Sequence, residues 1–383
     1  MAVAASPEGM PLARLPQTRT LSAVRTWLYV LAALVVLMVA VGGATRLTGS
    51  GLSITEWKPV TGAIPPLTEQ AWMAEFEKYR QISQYELVNK GMTLSEFKVI
   101  YGWEWGHRQL GRLLGLVFFL PLVWFWARGI VRGRLALTLL AIGALGGLQA
   151  TVGWIMVASG LEPGMTAVAP IKLTLHLTIA SIILACLVWV AAGLKERSDA
   201  WREKSIGSHA PRVLAALILL QIALGGLVAG SKAGLTYNTW PLMDGAFVPP
   251  ASALFVVRPW IENFVDNVVL VQFNHRMGAY AVVAFALWHA WSLSRTGAAL
   301  QAARRARALA GLTVAQMALG IVTLLLAVPL WAGLAHQVLA MAVLAMAVAH
   351  ARLSRLQQAS KEKGGLQEAA PIFSPVAGDQ RTI

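Results

Sequence analysis

The stretch VGGATRLTGSGLSITEWKPVTGAIPP at residues 41–66 returns in altered form as LGGLVAGSKAGLTYNTWPLMDGAFVP at residues 224–249. Laid over one another, Gly42, Gly43, Gly51, Leu52, Trp57, Gly62, Ala63 and Pro66 meet Gly225, Gly226, Gly234, Leu235, Trp240, Gly245, Ala246 and Pro249, an offset of 183 positions (225 less 42). The landmarks that follow keep their order. WGHRQLG pairs with FNHRMGA, which puts His107 over His275, and LTLHLTIA pairs with AGLAHQVL, which puts His176 over His336. The offset shrinks to 168 (275 less 107) and then 160 (336 less 176) because the second copy has shorter connections. Landmarks repeating in one order at long range mark a duplicated structural unit.

The composition says what that unit is made of. The 383 residues are 57% hydrophobic and 13% charged, and the mean hydropathy is +0.60. That is too little polar surface to coat a water-soluble globule of this length, so the chain is expected in a membrane. A helix needs about 20 apolar residues to cross the hydrocarbon core. Suitable runs lie near 26–45, 107–127, 135–158 and 173–194 in the first copy, and near 212–231, 273–294, 308–328 and 332–351 in the second. The expected fold is therefore all-α: a polytopic membrane protein whose eight transmembrane helices form two tandem, pseudo-symmetric four-helix bundles. An even number of spans per copy makes the repeat parallel, related by an axis along the membrane normal. The expected organisation is a leader over 1–25, an N-terminal half over 26–200, a C-terminal half over 201–355, and a flexible tail over 356–383.

The net charge of +14 does not read as a nucleic-acid footprint, because 20 of the 32 Lys and Arg residues fall on alternate connections and both ends. The positive-inside rule then places both termini in the cytoplasm and the long segments 46–106 and 232–272 outside. The bacterial cytoplasmic membrane and the mitochondrial inner membrane share this charge rule; the absence of a longer presequence makes the bacterial one the expectation, and the first span is expected to remain uncleaved. The single cysteine, Cys186, lies inside an apolar run and reads as a small buried hydrophobe. In the first outer segment, Trp72, Phe76 and Tyr79 recur at helical spacing, the pattern of a helix lying at the membrane interface. TLSE at 93–96 has the form of a capping box opening the helix that leads to His107. Pro249, Pro250 and Pro259 predict a more extended second outer segment.

Seven histidines carry the chemistry. His107, His176, His275 and His336 fall near the outer ends of the four even-numbered spans, two per copy. Ionisable residues at membrane depth are costly and mark functional sites. Neutral imidazole is an axial ligand for haem iron, and no Cys, Asp or Glu cluster stands at zinc-ligand spacing beside these positions. Paired histidines from facing helices would make two haem sites. At i+4 from the four histidines stand Gly111, Ala180, Ala279 and Ala340, small enough to leave room for a flat macrocycle. Arg108 and Arg276 are placed to pair with propionates at the water boundary. His289 and His350 lie about 21 Å further along their helices, beside Trp and Arg residues of the inner interface, where a packing role is expected; His209 is in an inner connection. Glu104, three residues before His107, has Gln272 as its counterpart. One half thus has a proton-exchanging carboxylate where the other has a neutral amide, and only a reacting site profits from the former.

GGATRLTGSGLSITEWKPVTGAIPP, EWGHRQLGR, LHLTIA, GLVAGSKAGLTYNTWPLMDG, FNHRMGAY and LAHQVLA, spread over about residues 26–350, together resemble the haem A synthase family of cytochrome oxidase assembly enzymes. The resemblance implies oxidation of a methyl group of haem O to the formyl group of haem A by dioxygen and external electrons. It implies that His275 and His336 hold a haem b, that His107 and His176 belong to the half handling the substrate porphyrin, and that Glu104 is catalytic. Implied partners are the farnesyl-transfer enzyme that supplies haem O and cytochrome oxidase assembly factors, with a homo-oligomer possible in principle and no nucleic acid. Some bacterial members carry an outer-loop cysteine pair; this chain has none, and so resembles the cysteine-free proteobacterial and mitochondrial branch. Two other classes compete. A di-haem quinol-type electron carrier predicts ligands at both depths of the bilayer, and a transporter leaves the histidines and the Glu104/Gln272 asymmetry without a role.

Overall fold

The computed structural model describes residues 15–194, 209–295 and 300–368, with side chains described over 21–194, 209–295 and 300–354. These residues form twelve α-helices and no strand. In chain order they are α1 (Leu15–Leu47), α2 (Glu69–Arg80), α3 (Ser83–Leu87), α4 (Leu94–Ala127), α5 (Gly133–Gly160), α6 (Pro170–Gly193), α7 (Ala210–Gly230), α8 (Ala251–Leu254), α9 (Asn263–Asp266), α10 (Val268–Arg295), α11 (Leu300–Leu325) and α12 (Leu330–Glu368).

Seven of them, α1, α4, α5, α6, α7, α11 and α12, are long and apolar enough to cross a membrane. The run expected at 273–294 lies in α10, which has the length, 28 residues, but is not among the seven. Gln272, Asn274, His275 and Arg276 at its start and His289 further on dilute its apolar character. The leader boundary at 25 falls inside α1, and the tail expected from 356 begins inside α12, which continues to Glu368; residues 1–14 and 369–383 of those segments lie outside the described residues.

Local chemistry explains the helix starts. Thr93 accepts from the Glu96 backbone N–H while the Glu96 carboxylate accepts from Thr93 N–H, so the expected capping box opens α4. Thr68 caps α2 through Ala71 N–H, and Pro170 occupies the first turn of α6, where its missing donor costs nothing. The aromatic stripe of α2 turns inward: Phe76 and Tyr79 are buried with Phe97 and Tyr101 of α4 in a small outer cluster.

The long helices pack in one scheme used twice. α1 and α5 each touch α4 and α6, whereas α7 and α11 each touch α10 and α12. The histidine-bearing helices therefore lie across from one another, separated by the odd-numbered ones. α6, α7, α12 and α1 form the seam between the two groups. Hydrocarbon gives helices no hydrophobic drive to associate, so close approach at small residues matters. A Cβ on Gly226 would stand 3.2 Å from Thr174 Cα, and one on Gly230 would stand 2.6 Å from Pro170 Cα. The main core runs through all eight long helices, with Leu28, Leu139, Leu184, Leu214, Leu309 and Leu344 fully buried. Leu116, Phe119, Leu120 and Val123 of α4 face outward, as lipid-facing residues do.

Candidate functional site

Each of the four outer histidines faces a glycine of a neighbouring helix. A Cβ on Gly42 of α1 would stand 2.9 Å from His107 Nε2, and on Gly153 of α5 2.8 Å from His176 Cε1. In the second copy, a Cβ on Gly225 of α7 would stand 3.1 Å from His275 Cε1, and on Gly320 of α11 2.7 Å from His336 Cε1. Any larger residue there would push the ring out of place. The Gly-Gly pairs now have a division of labour: Gly42 and Gly225 face a histidine of their own copy, while Gly43 and Gly226 face Gln337 and Thr174 of the other. The small residue at i+4 plays a lesser part; at Gly111 the nearest atom is Met38 Cε, 3.4 Å from where a Cβ would be.

The His275 and His336 rings have centroids 6.5 Å apart at an interplanar angle of 82°. Two imidazoles on opposite sides of one metal atom, each at about 2 Å from it and with about 1 Å more to the ring centre, have centroids about 6 Å apart. The spacing therefore fits one iron between the rings, and the residues present fit a bis-imidazole haem. His289 and His350 do not. They are buried, and their Nε2 atoms lie 3.0 Å apart in a direct hydrogen bond, whereas an iron between them needs about 4 Å. That pair is a packing contact between the later turns of α10 and the middle of α12.

Glutamines, which the sequence reading missed, accompany three of the four histidines. Gln149 Nε2 lies 3.1 Å from His176 Nε2, Gln221 Nε2 lies 3.0 Å from His275 Nδ1, and Gln316 Nε2 lies 3.1 Å from His336 Nδ1. Each stands four residues before the glycine that faces the same ring, so Gln-x-x-x-Gly at 149–153, 221–225 and 316–320 was the available signal. The contact to His275 falls on Nδ1 and leaves Nε2 for a metal, the arrangement by which an outer partner orients a metal-bound imidazole; Gln316 lies nearer Nδ1 than Nε2 of His336, at 3.1 against 3.5 Å, and Gln149 meets His176 on Nε2 and leaves Nδ1 without a partner.

The Glu104 carboxylate meets the loop after α1. The residue is 3% exposed. One oxygen accepts from Ser53 Oγ at 2.8 Å and from Ile54 N–H at 2.9 Å; the other pairs with Arg108 at 2.5 Å. Arg108 also donates to the carbonyls of Ile54 and Glu56. The second copy repeats this with a neutral residue. Gln272 donates to Ala233 O at 2.8 Å, and Arg276 donates to Gln272 Oε1, Tyr237 O and Leu242 O. Both arginines are thus engaged by the loops of their own copy. Outside the spans, the Lys58 and Lys78 ammonium groups hydrogen-bond Glu56 and bring its carboxyl down to about 2.

Comparison with known proteins gives this arrangement a family. The profile of the COX15-CtaA family, described as cytochrome oxidase assembly protein, matches residues 25–348. The chain belongs to the COX15-CtaA family. Among its relatives, the "Heme A synthase" of Methylobacterium sp. (strain 4-46) is 68% identical over 334 residues, covering 87% of this chain and 92% of the relative. That of Methylobacterium nodulans is 67% identical over 328 residues, with 86% and 91% covered. That of Brucella ovis is 50% identical over 332 residues, with 87% and 92% covered. The family match spans both copies, so all four outer histidines and Glu104 fall within it.

Proposed function

We propose that the chain is a membrane oxidoreductase of cytochrome oxidase assembly that converts haem O to haem A, oxidising one methyl group to a formyl group with dioxygen and external electrons. One observation carries the reading: two histidine pairs, each ring seated against a glycine of the neighbouring helix, at repeated positions across a membrane helix bundle. The shared packing scheme of α1, α4, α5, α6 and α7, α10, α11, α12 supports eight spans in two tandem four-helix bundles, with α10 as the eighth. In this reading 26–200 is the substrate half and 201–355 the cofactor half, and both termini face the cytoplasm of a bacterial inner membrane.

His275 and His336 would hold a haem b, which when bound supplies one-electron transfer to the other half. Gln221 and Gln316 orient these two imidazoles, while Gly225 and Gly320 admit them. His107 and His176 hold the substrate porphyrin through its iron, and Gly42 and Gly153 give their rings room. Glu104 holds a carboxylate one turn from His107, able to take or give a proton once its contact with Arg108 opens. Arg108 and Arg276 sit at the outer boundary, where a propionate can compete with the loop carbonyls they now bind. The farnesyl-transfer enzyme that makes haem O and oxidase assembly factors are the natural partners.

The test is to purify the protein with and without a co-expressed source of haem O and to identify the extracted haems by chromatography and mass. Haem A or its alcohol precursor beside haem b is the expected result. Haem b alone under both conditions would make the chain a di-haem electron carrier instead.

A further inference from the structure

Three of the four histidines carry a glutamine contact on the ring, and His107 carries none. Gln149, Gln221 and Gln316 each reach the ring nitrogen of their histidine, and Gln221 and Gln316 also donate to that histidine's backbone carbonyl at 2.8 and 2.9 Å. In the second copy the amide therefore ties each ring to its own helical turn, whereas Gln149 meets His176 on Nε2 alone. Across the duplication, Gln221 corresponds to position 38, the same 183 residues earlier as in the glycine repeat (221 less 38), and position 38 is methionine. A thioether donates nothing and accepts only weakly. The Met38 methyl packs toward Gly111, one turn beyond His107, and among the described residues the His107 ring has no hydrogen-bond partner.

Resting on the haem reading above, we propose that His107 is the axial ligand that detaches from the iron of the substrate porphyrin, and that Met38 is the positioning residue that leaves it free to do so. An outer-shell hydrogen bond fixes an imidazole's orientation and raises its basicity toward a metal; its absence weakens the bond and frees the ring to turn. Detachment breaks one iron–nitrogen coordinate bond, the electron pair stays on the imidazole, and no proton or electron moves. The position opened lies on the α1/α4 side, next to the helix turn that carries Glu104. His176, whose Nε2 meets Gln149 and whose buried Nδ1 has no hydrogen-bond partner, keeps the porphyrin in place meanwhile.

The experiment uses the full chain purified with haem O, reduced with dithionite, and carbon monoxide as the probe. A bis-imidazole haem takes up carbon monoxide only as fast as a histidine lets go, so the association rate reads detachment. The substrate haem is expected to react and haem b to stay inert. Met38→Gln should slow the reaction about tenfold, the factor that about 1.4 kcal/mol commands, while Met38→Leu leaves it unchanged. Gln221→Met should render haem b reactive, and it decides the matter if the Met38 variants fail to accumulate. An unchanged rate in Met38→Gln, or an acceleration confined to Gln149→Met, would assign detachment to His176 and overturn the inference. A preparation that never holds haem O overturns the functional reading itself, and this inference with it.

Discussion

Replacing Gly320 by alanine separates the haem site from the fold that carries it. The added Cβ would stand 2.7 Å from His336 Cε1, 3.4 Å from Nδ1 and 3.5 Å from Nε2. Carbon atoms rest at about 3.5–4.0 Å, so the imidazole must retreat by roughly 1 Å. Gly320 lies within the continuous helix α11, whose backbone cannot yield without breaking its hydrogen bonds. The same substitution favours the helix itself by about 1 kcal/mol, which keeps the apoprotein intact. Overpacking of about 1–3 kcal/mol then falls on the His275–His336 spacing, and the affinity for haem drops by about 5- to 150-fold. Titration of the apoprotein with haem b, followed through the Soret band and its low-spin signature, reads this directly. Gly311 of the same helix has open space where its Cβ would go, so Gly311→Ala is the control and should bind as the parent does. Parental affinity and a low-spin spectrum in Gly320→Ala would refute the account, as would an equal loss in Gly311→Ala.

Three further outcomes are expected. Glu104→Gln should lower haem A output at least about tenfold, through the loss of a charge-assisted contact of about 1.5–3 kcal/mol, while haem content stays parental; normal haem A output would end any role for the carboxylate in turnover. His289→Phe removes one member of the buried His289–His350 pair and should cost stability by about 1–3 kcal/mol, but leave the haem-to-protein ratio unaltered; a lost haem would show that the pair is a ligand set after all. Glu56, held at about 2 by Lys58 and Lys78, has a folded value below its ordinary one of 4.5. It therefore contributes stability above about pH 4.5 that fades as the pH falls toward 2. All three side chains are exposed and the contribution is small. Thermal unfolding across that window should be less steep in pH for Glu56→Gln, and identical slopes would remove the effect.

Much of this architecture was legible because membrane chains tolerate few polar residues, so those present carry disproportionate information. The repeat, the capping box at Thr93 and the histidine quartet each rest on residue types with few alternative uses at their positions. The glycines and glutamines around the rings needed the structure. Which helix face meets which ring depends on neighbours in space, and α1 reaches α4 across an outer segment that contains two other helices. Gly153 and Gly320 were hidden among 34 glycines. The partners of Glu104 also needed the structure, because the peptide N–H of Ile54 and the hydroxyl of Ser53 come from a loop about 50 residues earlier in the chain. Helix α10 reads as less apolar than its neighbours because the polar set Gln272, Asn274, His275 and Arg276 occupies its first turns.

The differences between the two copies converge on one histidine. Glu104 replaces Gln272 one turn before His107, and Met38 replaces Gln221 across from it. The two changes act differently. The buried Glu104 carboxylate compensates the Arg108 guanidinium, whereas the buried Arg276 meets only the neutral Gln272 and loop carbonyls, so the carboxylate secures its loop at least as well as the amide does. Met38 forgoes the amide tether altogether. Seating a ring against a glycine needs neither departure, since the second copy builds that seat with amides alone. In the proposed reading, a ligand that lets go and a carboxylate that exchanges a proton require both, and the second copy, which keeps its amides, is the one that would hold its rings fixed.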